Sequence, residues 1–326
     1  MKTVVTGGAG FIGSHLVKRL VEEGREVVVA DDFSRGGVHH LLDVGVQMEP
    51  RPVDLRDYPR VLALLERTET VFHLAARVGS IEFLHGSDMA ELLALQTNLV
   101  IDANVFRACL ERGVKTLVYA SSVSVYPIDT QQRHDVVFGE DDVRYINPEG
   151  GYGWAKLLGE LQVQWMRDLN TGIARIFNVY GENEEPDENA HVVPALIRKA
   201  IVYPREEFRV WGDGKQTRDL LYVADAVEAL LRLEGKAANP AVVVNIGSGE
   251  PLSVKALVEK TIEISGKDIE PAYDPSKPVG PLSRSADVGR AKALLGWEPR
   301  VSLDEGLERT FRWVDERVRA SGVAVP

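Results

Sequence analysis

A single cysteine, Cys109, stands in the 326-residue chain, so no internal disulfide can form and cysteine-based metal sites are excluded. That scarcity points to a reducing compartment, the cytoplasm rather than the secretory route. Positive charge is also in short supply: 38 Lys and Arg face 49 Asp and Glu, a formal charge of −11. An acidic surface of this kind repels phosphate backbones and anionic lipid, which argues against nucleic acid and membrane as partners. No apolar run approaches the ~18 residues of a membrane span. Gly7, Gly8 and Gly10 break the first apolar stretch before it could act as a signal-peptide core. Tandem repeats and low-complexity tracts are missing too. What remains, at 44% hydrophobic and 27% charged residues, is an ordinary globular balance, long enough for one large domain or two joined ones.

Short β-branched runs alternate with helical patterns through the first half. Lys2–Thr6, Glu26–Ala30, Thr70–Leu74, Thr116–Ala120 and Gly172–Phe177 are near-continuous apolar strands, as in a parallel sheet buried on both faces. Helices are expected over Gly13–Glu23, Arg60–Arg67, Glu91–Arg112 and Tyr152–Leu169, the last with Leu157, Leu161, Trp165 and Leu169 on one face. This alternation predicts an α/β fold, a doubly wound parallel (Rossmann) sheet. After Asn178 the texture changes to an acidic loop, Gly181–Ala190, a helical run Val193–Ala200, a late strand Val242–Ile246 and a helix Ser253–Ser265. The expected division is a cofactor domain over 1–177, to which 216–246 returns, and a smaller C-terminal α/β substrate lobe over 178–215 and 247–326.

The first strand runs straight into Gly7, Gly10 and Gly13, spaced G-x-x-G-x-x-G, and then into an amphipathic helix. A backbone free of Cβ atoms can approach a pyrophosphate, and the helix N-terminus supplies free N–H donors and positive dipole. The backbone around Phe11 and Ile12 belongs to that cradle. At the end of the second strand, 18 residues past Gly13, stands Asp31, placed to accept hydrogen bonds from an adenosine ribose, with Asp32 beside it. Two acids and no base before Arg35 would repel a 2′-phosphate, so the expected cofactor is NAD rather than NADP.

Tyr152 and Lys156 form Tyr-x-x-x-Lys on a predicted helix, which sets the ammonium beside the phenol. A free phenol titrates at roughly 10, and base catalysis near pH 7 requires a shift of about 3 units, or roughly 4 kcal/mol. A neighbouring Lys and a cationic nicotinamide both push that way. Upstream, at a strand end, lies SSVSVYP, where a serine hydroxyl can hold a substrate oxygen or the tyrosine.

Together GGAGFIG, ADDFS, VDLRD, FHLAA, SSVSVYP, YGWAK, RIFNVYG, GDGKQTRDLLYVADAV, NIGSGEPLS and DVGRAKALLGWEP cover nearly the whole chain. They resemble the extended short-chain dehydrogenase/reductase family, and within it the nucleotide-sugar epimerases and dehydratases. The resemblance implies that Ser122, Tyr152 and Lys156 are catalytic, Tyr152 and Lys156 contacting the cofactor as well. It implies that Asp54 and Leu55 contact adenine, and that Leu74, Ala75 and Ala76 line the cofactor diphosphate and ribose. Ser122 and Asn178 would face the substrate, while Arg218 and Arg284 clamp the phosphates of a nucleoside-diphosphate sugar, a task suited to a planar charged fork. Relatives pair the helices Glu91–Arg112 and Tyr152–Leu169 into a dimer, so a homodimer is expected.

Dehydratases and decarboxylases of this family carry an acid immediately after the catalytic hydroxyl, where this chain has Val123. That leaves epimerisation through a transient 4-keto sugar with hydride return, of the UDP-glucose/UDP-galactose 4-epimerase type. ARVGS at 76–80, NAHVVP at 189–194 and SKPVG at 276–280 are similar to segments of GDP-fucose synthase and GDP-mannose 3,5-epimerase. This second likeness makes His191 and Ser124 candidates for proton transfer at C3 and C5, and His191 a substrate contact. A non-catalytic NAD-binding regulator is a further alternative. No metal site is expected: His39 and His40 lie in a polar loop without a ligand partner, and Glu182–Glu188 reads as a solvated acidic loop. His15 is expected to be structural and Cys109 to pack in the core.

Overall fold

The computed structural model describes residues 2–42, 44–45, 47–48, 52–144, 146–187 and 189–323. Seven parallel strands build the main sheet: β1 (Lys2–Thr6), β2 (Glu26–Ala30), β3 (Gln47–Met48), β4 (Thr68–His73), β5 (Thr116–Ser122), β6 (Asn170–Ile176) and β7 (Val242–Ile246). Their order across the sheet is β7-β6-β5-β4-β1-β2-β3. The winding reverses between β1 and β4, and it is beyond the carboxyl ends at such a reversal that doubly wound sheets bind ligands.

Strands this apolar have to be covered twice. On one face helices Phe11–Glu22 and Val223–Glu234 bury Leu16, Leu20, Leu230 and Leu233. On the other, helices Tyr58–Leu64, Asp88–Arg112 and Gly150–Trp165 pack through Val61, Val105, Phe106 and Val163, with Cys109 fully buried among them. The long helix Asp88–Arg112 is capped by Ser87, whose side chain accepts from Ala90 N at 3.1 Å, and stops at Gly113 in the left-handed region.

The chain leaves the main sheet after β6. Asn178–Tyr180, Thr217–Tyr222 and Pro251–Ser253 form a three-stranded sheet, and helices Val192–Val202, Val254–Ser265 and Leu303–Ala320 close a third core around Leu196, Leu257 and Val314. The 216–246 segment returns to the main sheet only from Val223 on, through its helix and β7, because Thr217–Tyr222 pairs in the smaller sheet.

Candidate active site

The glycine-rich loop leaves β1 at Gly7, which has φ +69°, and closes when Gly10 N donates to the Gly7 carbonyl at 3.1 Å. The helix starts at Phe11, two residues earlier than its periodicity suggests, because Gly10 is its N-cap. A Cβ on Gly13 would lie 2.0 Å from the Gly7 oxygen, so helix and loop can touch only at a glycine. Phe11 and Ile12 pack toward the second lobe, which leaves their backbone amides as the first-turn donors. Leu74, Ala75 and Ala76 follow β4 beside the loop, with Leu74 N donating to the Thr6 carbonyl at 3.2 Å and Ala75 N to its hydroxyl at 3.3 Å.

Asp31 faces this loop: its carboxylate accepts from Ala9 N at 2.9 Å and Phe33 N at 2.8 Å, and burial lifts its pKa above the ordinary value. Asp32 is exposed and accepts from Ser34. Arg35, the first base in the turn, points away to Asp187 at 3.2 Å. Asp54 is half-exposed and paired with Arg56 at 2.7 Å, whereas the Leu55 side chain is core, so a contact to adenine at 55 would fall to the backbone.

Ser122 closes β5. Its Oγ accepts from Ser124 N at 3.1 Å and its hydroxyl bonds the Tyr152 phenol. Tyr152 and Lys156 both lie on helix Gly150–Trp165 and both are buried. Two buried interactions hold that helix in register: Glu160 pairs with Arg175 on β6 at 2.7 Å and accepts from Ser121 on β5 at 2.5 Å. Burial pushes the Tyr152 phenol well above its usual pKa, with Asp102 and Glu149 adding to the rise while Ser122 and Arg284 oppose it. The spacing predicts a phenol lowered by Lys156 together with a cationic nicotinamide; in the protein by itself, loss of water is the largest effect on the phenol. Burial also brings Lys156 below its ordinary value, and its Nζ is buried with no hydrogen-bond partner among the described residues, as is the Oδ1 of Asn178. A glycine-rich loop, the Asp31 carboxylate facing it and a bare buried ammonium fit NAD: backbone amides for its diphosphate, the acid for a ribose and the ammonium for ribose hydroxyls.

On the substrate side the arginines are already engaged. Arg218 donates to the carbonyls of Thr217, Pro281 and Val279 at 2.7–2.8 Å, and burial lowers it to about 9. Arg284 bonds Gln131 at 2.9 Å and forms an ion pair with Glu149. Glu149 belongs to none of the sequence motifs. It precedes the catalytic helix, accepts from the Ser124 hydroxyl at 2.9 Å and lies 3.9 Å from His85. Its burial opposes ionisation, yet Arg284 and the Ser124 hydroxyl hold it below the usual carboxylate range. A lone acid three residues before the tyrosine was its only trace in the sequence.

His191 sits half-exposed at the start of helix Val192–Val202, its Nδ1 2.5 Å from Glu184. Burial works against its charge, but the Glu184 carboxylate wins and raises its pKa. The acidic loop is therefore more than a solvated run. Glu184 is buried, Glu182 accepts from Tyr222 at 2.7 Å, and Glu185 joins the lobes by accepting from Arg317 at 2.6 Å and His39 at 3.0 Å; Glu188 lies outside the described residues. His39 and His40 thus have an acidic partner after all, with the Arg317 guanidinium supplying the positive charge at that cluster. His15 binds the Glu182 carbonyl at 2.9 Å, a structural contact.

Comparison with known proteins identifies the family. Residues 3–247 match the model of the NAD dependent epimerase/dehydratase family. The chain is 32% identical over 321 residues to UDP-glucose 4-epimerase of Mycolicibacterium smegmatis, covering 96% of this chain and 98% of the relative. It is 30% identical over 322 residues to GDP-mannose 3,5-epimerase 1 of Oryza sativa subsp. indica, covering 98% and 82%. Among solved structures, UDP-glucose 4-epimerase of Thermotoga maritima with UDP-glucose superposes with a TM-score of 0.88 at 31% identity, over 98% of this chain and all of that one.

Proposed function

This chain belongs to the NAD dependent epimerase/dehydratase family, and from that premise we propose that it is a nucleotide-sugar 4-epimerase working through a 4-keto intermediate. The observation that carries the reading is the buried set of Ser122, Tyr152 and Lys156, with Val123 where an eliminating enzyme needs an acid. NAD, when bound, supplies a reversible hydride acceptor. Tyr152 takes the proton of the sugar 4-hydroxyl as its C–H bond breaks, and returns that proton when the carbon is reduced from its other face. Ser122 holds the same oxygen by hydrogen bond through both halves. Lys156, bare and buried, holds positive charge next to the phenol and so favours its deprotonated form. Arg218 and Arg284 retain the diphosphate while the sugar turns, and Asn178 faces the sugar.

The Glu184–His191 pair supports a second reading, proton exchange at C3 and C5, since a histidine of raised pKa at the cleft rim is a usable acid. Against it, Ser124 stands where a thiol would be needed and is already bonded to Glu149. Tyr152→Phe is expected to lower kcat by about 10²–10⁴ while bound NAD is retained. Turnover in heavy water tells the two readings apart: hydride return leaves sugar C–H bonds unexchanged, and deuterium at C3 or C5 of recovered sugar would replace the first reading with the second.

The same reading assigns 1–177 with the returning part of 216–246 to the cofactor and 178–215 with 247–326 to the substrate. A cytoplasmic setting suits the single buried cysteine, and among the described residues no helix is long and apolar enough to cross a membrane. Helices Asp88–Arg112 and Gly150–Trp165 pack on each other and leave Met89, Leu92, Val100, Trp154, Leu161 and Trp165 exposed, which supports a homodimer through this face.

A further inference from the structure

Behind the catalytic pair lies an acid that no motif marks. Asp102, on helix Asp88–Arg112, has 0% exposure. Its Oδ2 accepts from the Tyr119 hydroxyl at 2.6 Å, and its Oδ1 is 3.0 Å from His73 Nε2. His73 Nδ1 in turn is 2.7 Å from the Thr6 hydroxyl. An ionised carboxylate only accepts, so His73 presents Nε2–H to Asp102 and takes the Thr6 proton at Nδ1. Burial keeps His73 below its ordinary pKa, and the Tyr119 phenol above its own, so neither neutralises the acid.

The cation that balances it stands across an aromatic ring. Lys156 Nζ lies 4.7 Å from the centroid of Tyr119, the residue whose hydroxyl Asp102 holds, and has no hydrogen-bond partner of its own among the described residues. The other buried acid on this layer, Glu160, is already paired with Arg175. Close approach is built in: a Cβ on Gly159 would fall 2.2 Å from the Tyr119 oxygen and 2.7 Å from Asp102 Oδ2, so the catalytic helix meets this hydrogen bond at a residue without a side chain.

We infer that Asp102 is the counter-ion of Lys156, a positioning residue that acts through the Tyr119 ring to keep the ammonium charged at the pH of turnover. It rests on the reading of Tyr152 and Lys156 given above. A lysine buried with no anion nearby titrates at roughly 5–6, too low to favour a phenolate. The groups that face Lys156 are Asp102, Tyr119, His73, Glu160 and Tyr152; burial lowers it, and Asp102 first and Glu160 second act against that.

The test is the titration of Lys156 by NMR in protein carrying 13C-labelled lysine, its signal assigned by loss in Lys156→Met. In the unmutated protein the midpoint is expected at about 8 or above; a value below that overturns the inference whether or not any variant folds. Asp102→Asn keeps the shape and removes the charge, and should lower the midpoint by at least about one unit and bring down the alkaline limb of kcat with it. A smaller fall overturns the inference. Tyr119→Phe keeps ring and anion, so its midpoint should stay within about half a unit, and a larger drop would mean that packing rather than charge is responsible. The titration needs no substrate, so a failure to turn over any nucleotide sugar would count against the proposed reaction and not against this pairing.

Discussion

Gly13→Ala offers the most direct check on the cofactor loop. The new Cβ would meet the Gly7 oxygen at 2.0 Å, Gly8 Cα at 2.8 Å and Gly7 C at 2.9 Å, all backbone atoms. Ordinary contact begins at 3.4 Å, so loop and helix must separate by 3.4 − 2.0 = 1.4 Å. Neither side yields easily, because Gly7 N is tied to the Ala30 carbonyl at 2.8 Å and Ser14 N to the Gly10 carbonyl at 2.9 Å. Overpacking of this size belongs at the upper end of the usual range, about 3 kcal/mol, which for a chain of this length lowers Tm by roughly 4–5 °C. A loop shifted by more than an ångström also misplaces the amides that would hold a diphosphate, and losing about two charge-assisted bonds weakens NAD by roughly 10²-fold or more. Gly10→Ala is the control: its Cβ meets only the Gly7 oxygen, at 3.2 Å, so Tm should hold within about 3 °C while NAD still weakens because the Cβ occupies the approach to the loop. Calorimetric titration with NAD and thermal melts of both variants read the outcome. Gly13→Ala with NAD affinity within about threefold and unchanged Tm would refute this account of the loop.

Trp165→Glu puts a charge on the exposed apolar face of the catalytic helix and should convert a particle of twice 36.0 kDa into one of 36.0 kDa by light scattering; a monomer before mutation would dismiss the interface. Glu185 gives a pH signature. Although burial opposes it, the His40 ring at 3.5 Å and hydrogen bonds from His39 and Arg317 depress its pKa from 4.5 to about 2. A depressed carboxylate stabilises the fold above its unfolded value, and that contribution is lost as pH falls from 4.5 through about 2. Glu185→Gln should therefore be less stable at neutral pH, and its urea midpoint should decline less steeply across that window. Parallel declines would show that the carboxylate does not bind the two lobes together.

Local rules settled much of this protein. Continuous β-branched runs at Lys2–Thr6 and Glu26–Ala30 can be satisfied only by a sheet covered on both faces, and glycines at 7, 10 and 13 between a strand and a helix leave few uses other than a phosphate cradle. The Tyr152–Lys156 spacing puts the two on one helix face whatever surrounds them. Partners distant in the chain were decided by tertiary structure alone. Glu149 meets Arg284 across 135 residues, Glu185 meets Arg317 across 132, and Arg218 turns its fork to carbonyls more than 60 residues away at 279 and 281. Periodicity alone leaves exposure open: Leu161 and Trp165 face outward, whereas Asp102, an acid amid Val105 and Cys109, faces in. Spacing fixes which side chains share a face, but burial and charge balance depend on what the fold packs against that face. The pKa values of Tyr152 and Lys156, set by loss of water and by acids on other elements, therefore belong to the tertiary structure.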